Sequence, residues 1–209
     1  MEHTDAGHIK GGASSTIGKH LAAGCNAGYL ASYPEAEVQL DIANTPDVVA
    51  RVLNFDVDIG MIEGEVHHAE LELIPWREDE LIVFCAADHP LARKKTLTNK
   101  DIREALWILR EPDSGARQTF DRALAGLLPD INIYLEFKHN EAIKNAVESG
   151  LGIGCLSRRL PQASLCRHIG RRTWPALPLC RLQEVFPPHP QVPAGHGDAA
   201  RKRPACLRR

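Results

Sequence analysis

The sequence predicts an α/β protein of two lobes, each a mainly parallel sheet flanked by helices. Three observations carry this expectation. From His8 to about residue 160, short apolar runs alternate with amphipathic segments of helical period. Each turn from run to helix carries hydroxyl, Asn or Pro residues suited to start a helix. The alternation also begins afresh near residue 95, as a second lobe requires.

Taken in order, "HIKGGA" is expected as the first strand, followed by one helix from Ile17 to Tyr33. "EVQLDIA" (37–43) alternates with period two and reads as a strand. "NTPDVVARVLN" begins a helix, with Thr45 as N-cap and Pro46 at the first helical position. "VDIGMIEG" is a third strand, and "ELELIPWREDELIVFCAADHPLA" a longer strand or strand pair. The second lobe opens with a short helix in "TLTNKDIREA" and a strand in "LWILRE". "PDSGARQTFDRALAGL" follows as a helix capped by Asp113 or Ser114, and "INIYLEF" as a strand. "NEAIKNAVESG" is a helix with Asn140 as cap and Gly150 as its stop, and "LGIGCLS" the last strand.

At 209 residues and 44 % apolar, the chain can bury a real core. No apolar run is long enough to span a bilayer. "MEHTDAGHIK" is charged where a signal peptide would be apolar, so a cytoplasmic location is expected, with no membrane partner. The six cysteines show neither a C-x-x-C pair nor zinc-ligand spacing, and are read as reduced thiols with no metal. His67 and His68 beside Glu63, Glu65 and Glu70 read as a solvated loop rather than a metal site. No catalytic constellation can be argued from position, so the chain is not expected to be an enzyme or to need a cofactor.

The net charge of −2 conceals a division. Residues 1–160 hold 16 bases against 25 acids, a balance of −9, and residues 161–209 hold 9 against 2, a balance of +7. A body at −9 repels phosphate backbones and should not bind nucleic acid by itself.

In open parallel sheets, ligands lie beyond the carboxyl ends of the strands, where helices begin. Four such starts fall at Ser14, Ser15 and Thr16; at Asn44 and Thr45; at Asp113 to Gly115; and at His139 to Glu141. Helix N-termini offer free N–H groups and partial positive charge, which suits anions. On facing lobes these turns would line one cleft. Capping alone would account for Ser14, Thr45, Ser114 or Asn140, whereas Ser15 and Thr16 exceed what a cap needs.

The stretch "GASSTIGKHLAAGCNAGYLASYPEAEVQLDIANTPDVVARVLNFDVDIGMIEG" resembles the effector-binding domain of LysR-type transcriptional regulators. "EDELIVFCAADHPLA", "WILREPDSGARQTFDRAL" and "HNEAIKNAVESGLGIGCLSRR" follow in the family's order, and the likeness lies nearest the branch that includes regulators of sulfur metabolism. The resemblance implies a type 2 periplasmic-binding-protein-like fold. Residues 1–7 would be a linker remnant, 8–86 lobe I and 87–160 lobe II, with lobe I completed by the returning chain. It implies effector contacts at Ser14, Ser15, Thr16, Asn44, Thr45, Glu63, Ser114, Arg117 and Asn140. Arg117 has a competing use in pairing with Glu111 or Asp121. The implied partners are a small anionic effector, a second copy in a homodimer or tetramer, and promoter DNA through a helix-turn-helix domain that this sequence lacks. A free-standing solute-binding protein is the alternative reading, and an enzyme on the same scaffold a third.

Residues 161–209 depart from the pattern. They hold eight of the fourteen prolines and three of the six cysteines, and Pro187, Pro188, Pro190 and Pro193 forbid a helix and most strand pairing there. The expectation is an aberrant, disordered tail of the kind a frameshift in GC-rich coding DNA yields, in place of the strands returning to lobe I.

Overall fold

Glycine and small residues at the start of the chain let the first strand lie flat against its neighbours. In the computed structural model, which describes residues 7–94, 96–160, 166–169 and 179–187, β1 (His8–Ser14) pairs in parallel with β2 (Glu37–Ala43) on one side and β3 (Ile59–Glu63) on the other. A Cβ at Gly12 would already press on Val48 at 3.2 Å. The helix expected from Ile17 to Tyr33 is instead two, α1 (Ser15–His20) and α2 (Ala22–Ser32), joined at Leu21. The break lets Ile17 and Ala22 enter the same core cluster, with Ala13 and Met61. On the other face α3 (Thr45–Leu53) sets Val48 and Val52 against Val57, Ile62 and Val185.

Thr45 is the first residue of α3 and not its cap. Asn44 holds the cap position and accepts the Asp47 N–H through its side chain at 2.8 Å, which moves Pro46 to the second helical position. The "ELELIPW…" segment forms a single strand, β4 (Glu72–Ala86).

The second unit is built on β5 (Leu106–Arg110), parallel to β6 (Asn132–Phe137) and to β7 (Ile153–Ser157). β4 joins this sheet antiparallel to β7 and to β8 (Cys166–Ile169). Trp107, Phe120, Leu81, Ile102 and Ile153 form its main core under α4 (Asn99–Glu104) and α5 (Gly115–Ala123). Phe84, Ile108, Ile143 and Val147 form a second under α6 (Asn140–Glu148). Gly150 at φ +78° ends α6: its N–H reaches the Val147 carbonyl and that of Leu151 the Ala146 carbonyl, a Schellman closure. His139, not Asn140, holds the α6 cap position. Cys85 and Cys155 are buried in the core.

The chain divides into two units, one of residues up to Arg77 together with those from Arg181, the other running from Glu78 to Cys180. This boundary lies earlier than the one expected after residue 86. The apolar half of β4 serves the second core through Leu81, Val83 and Cys85, while Leu73 and Trp76 pack on the first unit.

The tail departs from expectation in the parts that are described. β8 and β9 (Leu179–Phe186) are strands, and β9 pairs antiparallel with β3, which is the return of the chain to the first sheet. The prolines that argued against a strand begin at Pro187, one residue after β9 ends. The expectation of disorder for 161–165, 170–178 and 188–209, and of a linker remnant in 1–6, lies outside the described residues.

Candidate functional site

In the first unit, the predicted residues gather around the end of β3. Glu63 is buried there at 1 % exposure, and Ser14 Oγ donates to its Oε2 at 3.3 Å. Thr45 Oγ1 donates to the Glu63 backbone carbonyl at 3.3 Å. Ser14 stands at the cap position of α1 without capping it. Two residues foreseen as helix caps thus join two helix starts to one buried acid. Thr16 is buried next to them in sequence, and Ser15 is partly exposed.

In the second unit, the predicted residues meet an ionic network. Ser114 sits at the cap position of α5, is 3 % exposed, and makes no cap hydrogen bond. Its Oγ is buried without a partner. Arg117 is buried and engaged: Nε donates to Asp121 at 2.8 Å, and Nη1 donates to Glu136 and to the Arg110 carbonyl. Burial works against its charge, yet the Glu136 and Asp121 carboxylates outweigh that and hold its pKa above the usual guanidinium value. Of the two pairings weighed for it, Asp121 is realised, while Glu111 goes to another arginine.

That arginine is Arg110, which sequence reasoning missed. It ends β5, is almost wholly buried, and binds Glu111 through Nε and Nη2, both at 2.8 Å. Its Nη1 donates to Asn140 Oδ1 at 2.8 Å, so it ties the start of α6 to the end of β5. The available signal was its place at a strand's carboxyl end, one residue before the turn into the next helix.

Among the described residues no three His, Cys, Asp or Glu side chains come together as metal ligands. His68 Nδ1 instead accepts the Glu70 N–H at 3.2 Å. No described helix is long and apolar enough to cross a membrane.

Each unit therefore offers buried hydroxyls at strand ends and helix starts, with its acids and arginines already engaged. Such an arrangement can hold a small polar molecule by directed hydrogen bonds. Residues 2–182 match the LysR substrate binding domain family. The chain is 44 % identical over 182 residues to the uncharacterized HTH-type transcriptional regulator YeiE of Escherichia coli (strain K12), covering 87 % of this chain and 61 % of that protein. It is 35 % identical over 165 residues to the HTH-type transcriptional regulator CysL of Bacillus subtilis (strain 168), covering 78 % and 54 %. The chain thus spans less than two thirds of the length of these relatives. Among solved structures, the regulatory domain of Synechocystis PCC6803 CcmR, in complex with 2-PG, superposes with a TM-score of 0.78 at 24 % identity, over 90 % of this chain and 91 % of that one. That likeness shows the fold, the type 2 periplasmic-binding-protein-like architecture of LysR effector-binding domains. By the family match and these relatives, the chain belongs to the LysR substrate-binding domain family of transcriptional regulators.

Proposed function

We propose that this chain is the effector-sensing part of a cytoplasmic LysR-type DNA-binding regulator. In this reading it takes a small anionic metabolite in a cleft between its two units and works as a homodimer or tetramer. Promoter DNA is met through a helix-turn-helix domain outside this sequence. The observation that carries the anion reading is the Ser114 hydroxyl, 3 % exposed and without a partner at the amino end of α5. First-turn N–H groups of a helix have no intrahelical acceptor, and beside them a buried hydroxyl in want of a partner supplies one more donor for an oxyanion. Arg110 and Arg117 are neutralised by Glu111, Glu136 and Asp121, so the anion is held by N–H and hydroxyl donors rather than by a free cation. The 2-PG complex of CcmR supports a small-molecule effector for this fold.

Calorimetry against carboxylates, sulfite, sulfate and thiosulfate tests the reading. Ser114→Ala should weaken the bound anion by about tenfold, the effect of one hydrogen bond to a charged ligand. It should leave the melting temperature unchanged or slightly raised, because the hydroxyl has no internal partner to lose. A panel in which only neutral or cationic compounds bind defeats the proposal.

A further inference from the structure

The two arginines beside Ser114 are outnumbered by acids. Arg110 pairs with Glu111, its Nε and Nη2 each donating to the carboxylate at 2.8 Å. Arg117 pairs with Asp121 at 2.8 Å and with Glu136 of β6. Asp113 stands exposed one residue before Ser114. Among these six side chains two are positive and four negative, a balance of −2. Lys138, exposed just past the end of β6, brings the balance to −1. Glu141 and Lys144 of α6 cancel in an ion pair at 2.8 Å.

The arginines and their acids surround the turn that carries Ser114. The Ser114 N–H donates to the Glu111 carbonyl at 3.0 Å. Arg117, three residues on, neighbours Ser114 on the surface of α5 and donates to the Arg110 carbonyl at 2.8 Å. An anion at this turn meets the buried Ser114 hydroxyl, first-turn N–H groups and roughly half a positive charge from the helix dipole. One negative charge is matched by such donors. A second would face the surplus of carboxylates, and it would give up more hydration on entry.

We infer that the effector group seated on α5 carries a single negative charge, as a carboxylate or sulfonate does and sulfate or a phosphate dianion does not. Glu136 is then a specificity-determining residue, because its carboxylate holds Arg117 and supplies part of the surplus. This inference rests on the proposed anion site and narrows its ligand.

Methanesulfonate and methylphosphonate share a shape and three oxygens but differ by one charge in alkaline buffer, where His139 is neutral. Calorimetry on the full chain at low ionic strength should show methanesulfonate binding about tenfold more tightly. The gap should narrow as pH falls and methylphosphonate takes up a proton. Acetate and sulfate form a second pair, read in the same way. Glu136→Gln removes one charge from a side chain 43 % exposed, and a charge acts twice as strongly on a dianion as on a monoanion. The variant should narrow the gap about threefold, the scale of one exposed charge. Equal or tighter binding of the dianion in either pair overturns the inference, and leaves the anion site standing where Ser114→Ala weakens that ligand. A gap unchanged in Glu136→Gln overturns the role of Glu136. Binding of no anion from either pair overturns the inference and the anion site together.

Discussion

Asn44 and Thr45 are adjacent, both are good capping residues, and the structure gives them different work. Asn44 accepts the Asp47 N–H and so caps α3, while the Thr45 hydroxyl reaches the Glu63 carbonyl eighteen residues along the chain. Asn44→Ala should therefore lower stability by about 1 kcal/mol, the usual value of an N-cap, with little change in effector affinity. Urea unfolding beside calorimetry checks both halves of that statement. The sequence "NTP" announces a helix start plainly. Which of the two residues caps it depends on a carbonyl delivered by another strand, and no local pattern encodes that. Ser114 teaches the same: its type and position read as a cap, and only packing shows that its hydroxyl makes no such bond.

At the level of elements, α4 shows how a short helix is held. Thr98 and Asp101 form a reciprocal capping box, with the Asp101 N–H donated to Thr98 Oγ1 at 3.2 Å and the Thr98 N–H to Asp101 Oδ2 at 2.9 Å. Lys94 Nζ adds a 2.5 Å ion pair to Asp101. The Lys94 bond and then the Thr98 N–H hold the Asp101 carboxyl down at about 2, below its ordinary 3.8. A depressed acid stabilises the fold fully above its unfolded value and loses that contribution as pH falls through its folded one. Asp101 should thus cost stability between pH 3.8 and about 2. Unfolding midpoints measured across that window should fall less steeply in Asp101→Asn than in the unaltered chain. The helix itself was legible from "TLTNKDIREA", whereas the ion pair that Lys94 makes with Asp101 depends on packing and was not. β9 was not legible, because prolines just past its end outweighed the short apolar pattern of "LCRLQEVF".

For the whole molecule, apolar side chains remain exposed on both units: Leu30 and Ile42 on the first, Leu106, Tyr134 and Leu151 on the second. We expect the domain to pair as an antiparallel homodimer that covers such surface. Sedimentation should show a concentration-dependent dimer, and a strict monomer at high concentration would count against it. Val185 offers a second measurement at this scale. It is fully buried against Ile62, Val48 and Val52, so Val185→Ala should cost about 1–3 kcal/mol and lower the unfolding midpoint of the first unit.

The sequence by itself determined the fold class, the order of alternating strands and helices through residue 157, the second beginning near residue 95 and the turns that carry the candidate residues. These follow from periodicity and cap chemistry, which act over a few residues. The tertiary structure decided the unit boundary inside β4, the return of β9 to β3, and the engagement of Arg117 by Asp121 and Glu136. It also decided that Arg110 holds Asn140 and that Ser114 and Gln183 are buried with polar atoms unpaired. Each of these depends on groups far apart in the chain meeting at one place, and a buried polar atom's partner is set by what the fold brings to it rather than by its neighbours in sequence.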